Sequence, residues 1–377
     1  MNKFLIASHV SLFPPEHGGA KSVRHVAESL AASGAEVRVL VKLHPPAPER
    51  VRFAGQLAAE LPGESAGVRY EGVAGGTAEL AAALRAGARA FAPDHVILCD
   101  DSPEDGRELF EAAADTGRFV FFAQTVHALP FGPVSIKPSE AVTRAIGRAR
   151  RLIAPSRFVA GYIRRHLGRE AAVFYPDVFG RGPFPALGAF TNRFVTMVNP
   201  CAWKGSSILL KLARRRPDVE FAAVPTWGAV PAVMEELKSL PNVAILEETP
   251  RIDEIFARTR VLLTPSLCQE AFGLVSPEAL LRGVPVIASD IGGLRESTLG
   301  AAALIPVRPL PFDAPPGVPF PFVDWQEPDN DVEPWSAALD RVLADEASYA
   351  ELSARGRRAA ADFVEGLGRR SVTALFN

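Results

Sequence analysis

The sequence predicts an α/β protein built from two Rossmann-like domains in tandem, each a doubly wound parallel sheet. Short apolar runs alternate with stretches of helical periodicity along most of the 377 residues, which is typical of parallel strands joined by right-handed helical crossovers. The length suits two domains better than one. Glycine and proline cluster between residues 181 and 192, and such a cluster is typical of a linker.

The first domain is predicted over residues 1–185. An apolar strand over 4–8 leads through a turn rich in proline and glycine into a helix, which Gly34 ends. The strand 37–41 follows. The same alternation then predicts helices over 78–91, 103–115 and 139–149, and strands over 95–99, 118–123 and 151–154.

The second domain is predicted over residues 190–334. Its last part, 308–334, carries eight prolines without a helical period and is predicted to be a loop. Helical spacing returns in a third segment, 335–377, whose helices are expected to cross back to the first domain. Within the second domain the pattern predicts strands over 193–198, 219–224, 243–246, 260–264 and 284–288, and helices over 206–214, 230–239, 252–258 and 277–282.

Composition and charge exclude several classes of protein. The formal net charge of −2 argues against nucleic-acid binding, because neutralising phosphates requires an excess of lysine and arginine. The three cysteines lie far apart without a Cys-x-x-Cys pair, so neither a disulfide framework nor a zinc site is predicted. The first residues lack the apolar core of a signal peptide, and no apolar stretch is long enough to span a membrane. A cytoplasmic location is therefore expected.

The most informative stretch of the chain follows the fourth strand of the second domain. Ser276 is a favoured cap residue before a helix, and Pro277 suits the first helical position. The loop 271–275 would then lie at the positive end of a helix dipole, beside backbone amides that attract an anion. Glu270 and Glu278 flank this loop. A ligand with an anionic centre and hydroxyl groups on either side, such as a nucleotide sugar, would satisfy all of these groups.

The order and spacing within this stretch resemble a known enzyme family. Seven residues separate Glu270 from Glu278, and a Gly-Gly-x-x-Glu pattern follows at 292–296, which resembles the retaining glycosyltransferases of family 4. The resemblance implies the GT-B fold, in which two Rossmann-like domains face each other across a cleft. It also implies an enzyme without a metal or organic cofactor. Such an enzyme moves a sugar from a nucleotide-diphosphate sugar in the second domain to a hydroxyl acceptor in the first.

The resemblance assigns roles to individual residues of this stretch. Glu270 matches a catalytic glutamate that faces the donor sugar, and Glu278 matches the glutamate that binds the ribose hydroxyls. A loop between them matches the backbone amides that hold the sugar and the phosphates, and it consists of Ala271, Phe272, Gly273 and Leu274.

Further matches lie outside this stretch and are weaker on their own. Gly18 and Gly19 resemble a glycine pair that approaches the donor phosphates. His127 resembles a catalytic histidine that follows a strand and lies near the reacting sugar. Lys204 and Gly205 resemble a Lys-Gly pair whose lysine neutralises the diphosphate, a catalytic role because negative charge grows there.

One feature departs from the family pattern. The family usually carries an arginine a few residues before the Lys-Gly pair, and the two cations share the diphosphate. The segment 197–204 contains no arginine. Losing a cation aimed at developing charge costs roughly 3 kcal/mol, by analogy with the loss of one oxyanion-hole donor. Either another group compensates or the donor is held differently.

Each predicted site residue also has a structural explanation. The two glutamates could be surface carboxylates, Lys204 a solvated lysine, His127 a core histidine bonded to a backbone carbonyl, and the first glycine pair a turn. Two other functions remain open for the whole chain. One is a nucleotide-sugar epimerase or phosphorylase with the GT-B fold, and the other is a non-catalytic partner subunit that kept the fold.

Two charged segments admit more than one interpretation. Residues 141–169 contain eight arginines and no acidic residue. They are best explained as solvated helix faces, and the alternative is peripheral docking to an anionic membrane surface or an acidic acceptor. The segment 329–331, Asp-Asn-Asp, lies in the proline-rich loop and is interpreted as a turn, not as a metal site. Asp100 and Asp101 follow a predicted strand and suit a helix cap or an acceptor contact.

Overall fold

The chain divides into two compact units in a computed structural model. Unit 1 comprises residues 1–178 and 368–377, and unit 2 comprises residues 179–367. The predicted Asp100 and Asp101 lie outside the described residues. The structure describes residues 2–13, 15, 18–43, 61–99, 106–311, 325–368 and 372–376.

The units differ from the predicted domain boundaries at both ends of the second domain. The chain passes from unit 1 to unit 2 after residue 178, ahead of the predicted linker. The predicted third segment is split, because its helices up to residue 367 pack within unit 2. Its last turn belongs to unit 1, where the Phe376 ring packs edge-on against Phe4 with centroids 4.9 Å apart.

Unit 1 contains an eight-stranded sheet. Its strands are β1 (Lys3–Ser8), β2 (Glu36–Lys42), β3 (Glu64–Ser65), β4 (Val68–Val73), β5 (His95–Cys99), β6 (Phe119–Phe122), β7 (Arg151–Ala154) and β8 (Ala172–Val173). They lie in the order β3-β4-β2-β1-β5-β6-β7-β8, and every neighbouring pair is parallel except β3 with β4. In the centre, Phe4 of β1 is in register with Val37 of β2 and His95 of β5.

Helices cover both faces of this sheet. They are α1 (Gly18–Ala32), α2 (Thr77–Phe91), α3 (Arg107–Asp115), α4 (Glu140–Gly147) and α5 (Arg157–Leu167). Phe4 and Ile6 of β1 share a buried cluster with Val23 of α1. Leu5, on the opposite face of the strand, packs against α2, where a Cβ built on Gly87 would lie 3.3 Å from its side chain. A strand buried on both faces reads as an unbroken apolar run.

Unit 2 contains a six-stranded sheet in which all neighbouring pairs are parallel. Its strands are β9 (Phe194–Val198), β10 (Phe221–Val224), β11 (Val243–Ile245), β12 (Thr259–Thr264), β13 (Val286–Ser289) and β14 (Ala303–Ile305). They lie in the order β11-β10-β9-β12-β13-β14. The chain therefore builds one half of the sheet outward from β9, returns, and builds the other half from β12. Ligands of such sheets bind where this reversal occurs, at the carboxyl ends of the two central strands.

The helices of unit 2 follow the same plan. They are α6 (Ser206–Arg215), α7 (Pro231–Lys238), α8 (Ile252–Phe256), α9 (Val275–Leu281), α10 (Leu294–Ser297), α11 (Glu333–Leu343) and α12 (Glu346–Gly368). Val195 and Met197 of β9 share one buried cluster with Trp335 of α11. Phe194, which points to the other face, shares a second cluster with Ile255 of α8. The sheet is thus buried on both sides.

The structure contains elements that the apolar pattern did not predict. β4 was missed because it is buried on one face only, with Val68 and Tyr70 inside and Arg69 exposed. α5 was missed because Val159 and Ile163 are its only buried residues. The remaining unpredicted elements are too short for periodicity to detect, and they are β3, β8, β14 and α10.

Candidate active site

Lys204 lies in a turn that follows the first strand of unit 2. β9 ends at Val198, and Ala202–Lys204 form a short 3-10 turn that leads into α6. The next residue, Gly205, has φ of +78°, and a Cβ there would lie 2.0 Å from the Pro265 carbonyl oxygen. Only glycine permits such an approach. The Lys-Gly pair therefore lets this turn contact the segment that follows β12.

Backbone hydrogen bonds join the turn to the segment that carries Glu270. The Trp203 carbonyl accepts the N–H groups of Leu267 at 2.9 Å and Cys268 at 3.1 Å. Because β9 and β12 are neighbours in the sheet, the two segments leave it side by side. The topology thus brings Lys204 and Glu270 together across 66 positions of sequence.

Lys204 and Glu270 form an ion pair with an Nζ–Oε1 distance of 2.5 Å. The Glu270 Oε1 atom also accepts the Ser266 hydroxyl at 2.6 Å. The side chains of Lys204 and Glu270 are 26% and 13% exposed, so neither is sealed in the core. The arrangement presents one positive and one negative group at the switch point of the sheet, the place between β9 and β12 where the strand order reverses. The sequence analysis missed Ser266, whose signal is a serine directly after a strand, four residues before the glutamate.

Two opposing effects act on the pKa of Lys204. Burial of the ammonium group lowers it, whereas the Glu270 carboxylate raises it by charge and by hydrogen bonding, and the net pKa lies above its usual value. Burial raises the pKa of the neighbouring thiols of Cys201 and Cys268. The thiols are therefore neutral and Lys204 is a cation throughout the physiological pH range.

Three glycines shape the loop that follows Glu270. The Gly293 N–H donates to the Glu270 carbonyl at 2.7 Å. A Cβ would lie 2.3 Å from the Ala271 carbonyl oxygen if built on Gly293, and 2.7 Å from the Glu270 carbonyl oxygen if built on Gly292. Gly273 has φ of +91° and leaves 2.6 Å between such a Cβ and a methyl group of α10. The Gly-Gly pattern of the sequence is thus explained by close backbone packing under the loop.

The helix after this loop begins earlier than the sequence predicted. α9 starts at Val275 with Leu274 in the cap position, so the prediction of Ser276 as the cap was wrong. Gly273 reverses the chain and its carbonyl accepts the Ser276 N–H at 3.2 Å, which closes the first turn before Pro277. The Ser276 hydroxyl is buried and has no hydrogen-bond partner among the described residues.

Two predicted donor-binding residues are positioned by this helix and its surroundings. Glu278 lies half-buried in the first turn of α9. The Phe272 side chain is 3% exposed and stacks on Phe363 of α12, with ring centroids 5.8 Å apart. Phe272 can therefore offer a ligand only its backbone, and its role in binding the donor stays a prediction.

The predicted site residues fall into two groups, one in each unit. Lys204, Gly205 and the residues 270–278 belong to unit 2, whereas Gly18, Gly19 and His127 belong to unit 1. Gly18 and Gly19 are the first two residues of α1. His127 follows β6, is 2% exposed, and places its ring Nδ1 3.1 Å from the Val134 carbonyl oxygen.

A buried asparagine follows β9, in the segment where the family pattern has an arginine. Asn199 is 5% exposed and has φ of +60°, a conformation that asparagine adopts more readily than most residues. Its Oδ1 accepts the Gly228 N–H at 3.0 Å. The side chain thus holds the loop after β10, and Lys204 is the cation of this turn.

The Asp-Asn-Asp segment, residues 329–331, precedes α11 and contacts other segments of unit 2. Asp329 pairs with Lys211 of α6, and the Asn330 Oδ1 accepts the Arg308 N–H at 2.7 Å. Asp331 Oδ1 accepts the Glu333 N–H at 2.9 Å at the start of α11. Over the part of the chain that the structure describes, no group of three or more His, Cys, Asp or Glu residues is arranged to hold a metal ion.

Several arginines of the basic region 141–169 have partners within unit 1. Arg144 pairs with Glu140, and Arg148 pairs with Asp115. The Arg169 guanidinium donates to two backbone carbonyls, and Arg157 donates to the Tyr175 hydroxyl at 3.0 Å. Within the described ranges, no helix combines the length and apolar character required to cross a bilayer.

Two family models match the chain, and each falls within one unit. The model described as Glycosyltransferase Family 4 matches residues 17–176. The model described as Glycosyl transferases group 1 matches residues 194–309, which contain the Lys204–Glu270 pair.

Curated relatives match over part of the chain. The D-inositol 3-phosphate glycosyltransferase of an Arthrobacter species is 28% identical over 186 residues, which cover 46% of this chain and 38% of the relative. The alpha-1,3/1,6-mannosyltransferase alg-2 of Neurospora crassa is 30% identical over 114 residues, which cover 29% of this chain and 20% of the relative. The matched part is therefore less than two fifths of each relative's length.

Solved structures match over the whole chain. HepE of Anabaena in complex with UDP has a TM-score of 0.69 and 17% sequence identity, with 100% of both chains covered. This likeness shows the fold and confirms the predicted pair of parallel-sheet α/β domains. Because the two family models cover most of both units, the chain belongs to glycosyltransferase family 4 and has the GT-B fold.

Proposed function

We propose that the protein is a retaining glycosyltransferase, which moves a sugar from a nucleotide-diphosphate sugar to an acceptor hydroxyl without a metal ion. The observation that carries the proposal is the Lys204–Glu270 pair, 2.5 Å apart, at the switch point of the unit 2 sheet. A fixed ammonium suits a diphosphate, and a carboxylate suits the hydroxyl groups of a sugar. Family membership supports the same substrate class.

In this proposal, different side chains of unit 2 bind different parts of the donor. Lys204 neutralises the negative charge that grows on the diphosphate as the glycosidic bond breaks, which makes it catalytic. Glu270 accepts hydrogen bonds from the sugar hydroxyls, and Glu278 accepts them from the ribose. The backbone amides of residues 271–274, which precede α9, hold the sugar and the phosphates, as the family resemblance implies.

Glycines and His127 complete the proposed set of site residues. Gly205 permits the close approach of the Lys204 turn to the segment after β12. Gly18 and Gly19 lie at the start of α1, where backbone amides attract phosphate oxygens. His127 accepts a hydrogen bond from a hydroxyl of the substrate sugar. These contributions of unit 1 are predictions from the family resemblance.

Retention is proposed to proceed by attack on the same face as the leaving group. The acceptor oxygen forms a bond to the anomeric carbon, and the bond between that carbon and the phosphate oxygen breaks with its electron pair. The departing phosphate oxygen takes the acceptor's proton, so charge and atoms balance. Glu270 is held by Lys204 and Ser266, which suits a group that binds hydroxyls more than a free nucleophile.

UDP-sugars are the first donors to test. HepE, which shares the fold, was solved with UDP and with UDP-glucose, and this motivates the choice of probe. A thermal-shift screen of UDP, GDP, ADP and their glucose and mannose derivatives would identify the donor. Ligand at about 100 times its dissociation constant stabilises the protein by about 2.7 kcal/mol. A screen in which none of these compounds raises the melting temperature contradicts the proposal.

The role of Lys204 is tested by the Lys204→Ala variant. We expect turnover of the identified donor to fall by about tenfold or more, because a cation is removed from the developing charge. Lys211→Ala is the matched control, since Lys211 pairs with Asp329 away from the predicted site, and it should keep wild-type turnover. Equal turnover in Lys204→Ala and the wild type would refute the role. Activity lost on treatment with EDTA and restored by a divalent cation would refute metal independence.

Two alternative functions have their own signatures. An epimerase or phosphorylase would convert the nucleotide sugar without any acceptor, or would cleave it only when phosphate is present. A non-catalytic partner subunit would bind the nucleotide sugar but would not turn it over with any acceptor. The absence of an arginine in 197–204 is the observation that favours it. Product analysis by NMR, with and without acceptor and phosphate, separates all three.

Peripheral contact of residues 141–169 with an anionic membrane surface stays a prediction. Two of the arginines in this region form ion pairs with carboxylates of unit 1, which reduces the net charge available to lipids. Co-sedimentation with vesicles of neutral or anionic lipid tests the contact. Equal binding to the two kinds of vesicle would exclude it.

A further inference from the structure

We infer that Tyr162 is a positioning residue for His127, acting through the loop 124–139 of unit 1. The inference rests on the proposed function, in which the His127 ring accepts a hydrogen bond from a hydroxyl of the substrate sugar. Tyr162 lies in the middle of α5, 35 positions after the histidine in the sequence. No motif of the sequence analysis singled it out.

The loop fixes the orientation and the tautomer of His127. The His127 carbonyl accepts the Ile136 N–H at 2.9 Å, and the ring Nδ1 lies 3.1 Å from the Val134 carbonyl oxygen. A carbonyl oxygen can only accept, so this contact is a hydrogen bond only when Nδ1 carries the hydrogen. The neutral ring then has its lone pair on Nε2. That is the form of histidine that can accept a hydrogen bond from a hydroxyl.

The Tyr162 hydroxyl holds the part of the loop that binds the histidine. It donates to the Phe131 carbonyl at 3.1 Å and accepts the Val134 N–H at 3.4 Å. Val134 therefore has its N–H fixed by Tyr162 and its carbonyl bonded to His127. Burial raises the pKa of Tyr162, so the hydroxyl keeps the proton that it donates.

The shape of the loop is matched to this hydroxyl. Gly132 has φ of +83°, and a Cβ there would lie 2.1 Å from the Tyr162 Oη atom. The His166 ring packs on Tyr162 from the next turn of α5, with centroids 4.4 Å apart, and Phe131 stacks on it with centroids 6.4 Å apart. The tyrosine is thus enclosed by the loop and by its own helix, which limits the positions that the hydroxyl can take.

Removing the Tyr162 hydroxyl should allow the His127 ring to adopt its other neutral tautomer as well. In Tyr162→Phe the Val134 N–H and the Phe131 carbonyl lose a partner, so the Val134 carbonyl is no longer held in place. The ring of His127 can then also carry its hydrogen on Nε2, and this form cannot accept a hydrogen bond from a sugar hydroxyl. We expect kcat/KM for sugar transfer to fall by about fivefold, the effect of one ordinary hydrogen bond. UDP affinity should be unchanged.

The experiment reads the tautomer directly. Long-range ¹H–¹⁵N correlation spectra of ¹⁵N-labelled protein report the hydrogen position of each imidazole ring, and His127→Gln assigns the signal. Tyr175→Phe is the matched control, because the Tyr175 hydroxyl accepts from Arg157 of the same helix at 3.0 Å. It should leave the His127 signal and kcat/KM as in the wild type. Gly132→Ala, which displaces the Tyr162 hydroxyl, should reproduce the spectrum of Tyr162→Phe and serves if that variant does not fold.

The outcomes separate this inference from the proposed function. A wild-type His127 spectrum in both Tyr162→Phe and Gly132→Ala overturns the positioning role. An altered tautomer with unchanged kcat/KM also overturns it, because the orientation would then have no effect on transfer. If the wild-type protein shows no sugar transfer at all, the proposed function fails, while the spectra still decide whether Tyr162 positions His127.

Discussion

The two units share a doubly wound parallel sheet but present different chemistry beyond their strands. In unit 2, the segments after β9 and β12 bring Lys204 and Glu270 into an ion pair. In unit 1, the described segments after β1 and β6 present buried His9 and His127 instead. The His127 ring is held by a backbone carbonyl. One topology therefore carries an ion pair beyond the strands of unit 2 and buried imidazole rings beyond those of unit 1.

The largest expected effect concerns the glycines of the unit 2 loop. Gly293→Ala should lower the free energy of unfolding by about 3 kcal/mol and abolish donor binding, because the new Cβ would lie 2.3 Å from the Ala271 carbonyl oxygen. In unit 1, Gly161 of α5 has nothing within 4 Å of a built Cβ, and Gly161→Ala should be neutral or stabilising by about 0.5 kcal/mol. Urea unfolding measures both, and equal stability of the two variants contradicts the packing argument.

Glu270→Gln should have the next largest effect, on turnover. A neutral amide is a weaker acceptor for sugar hydroxyls, and the loss of a hydrogen bond to a charged group corresponds to about a tenfold fall in kcat/KM. UDP alone should bind at least as tightly as to the wild type, since Lys204 no longer has a carboxylate partner. Glu235→Gln, which affects an exposed pair with Lys238, is the control. Weaker UDP binding in Glu270→Gln would contradict the assignment of the carboxylate to the sugar.

Two buried serines, one in each unit, should affect different properties, since one is expected to change activity and the other stability. Ser266→Ala removes a hydrogen bond to Glu270 and should lower kcat/KM by about fivefold with little loss of stability. Ser156→Ala removes the cap that accepts the Val159 N–H at the start of α5. It should cost about 1 kcal/mol of stability without changing donor affinity. If Ser266→Ala changes stability and leaves kcat/KM unaltered, the serine has no role at the site.

The smallest expected effect is a pH dependence of stability, caused by pKa shifts of opposite sign in Glu327 of unit 2 and Glu79 of unit 1. Burial raises the pKa of Glu327, although its hydrogen bonds to Ser207 and Ser206 at the start of α6 lower it. The folded protein then binds this proton more readily than the unfolded chain. Stability from Glu327 should therefore rise as pH falls through the raised pKa, and level off below the ordinary value of 4.5.

The exposed Glu79 of unit 1 has the opposite shift. Hydrogen bonds from its own N–H and from Gly76 lower its pKa, so its contribution to stability is lost as pH falls through the lowered pKa. Compared with the wild type between pH 7 and pH 3, the melting temperature of Glu327→Gln should fall more on acidification, because the stabilising protonation is lost. The melting temperature of Glu79→Gln should fall less. Identical pH profiles of the wild type and Glu327→Gln would contradict the burial argument.

Much of the fold could be predicted because strands buried on both faces are apolar throughout. Phe119–Phe122 and Val286–Ser289 each lie between two neighbouring strands of their sheets and are buried along their whole length, so their apolar runs are visible in the sequence. The strand β4 has one exposed face, so its buried residues alternate with exposed ones and form no apolar run. Periodicity thus detects an element in proportion to how completely the fold buries it.

The candidate site was predictable residue by residue but not as an assembly. Glu270 and Glu278 were singled out because they flank the loop before a helix, and Lys204 was singled out by the family resemblance. Ser266 and the contact of Gly293 with the loop depend on distances across the sheet. The start of α9 was misplaced for a related reason. The left-handed Gly273 and its packing against α10 fix where the helix begins, and Ser276 looked like a cap only when considered locally.

The sequence by itself determined that two parallel sheets form, because apolar periodicity is a property of neighbouring residues. It also determined which charged groups are available. The tertiary structure decided that Lys204 meets Glu270 across 66 positions and that Tyr162 reaches the loop of His127. Such contacts follow from the order of strands in a sheet and from backbone approaches of a few ångströms, and neither is written in any local stretch of residues.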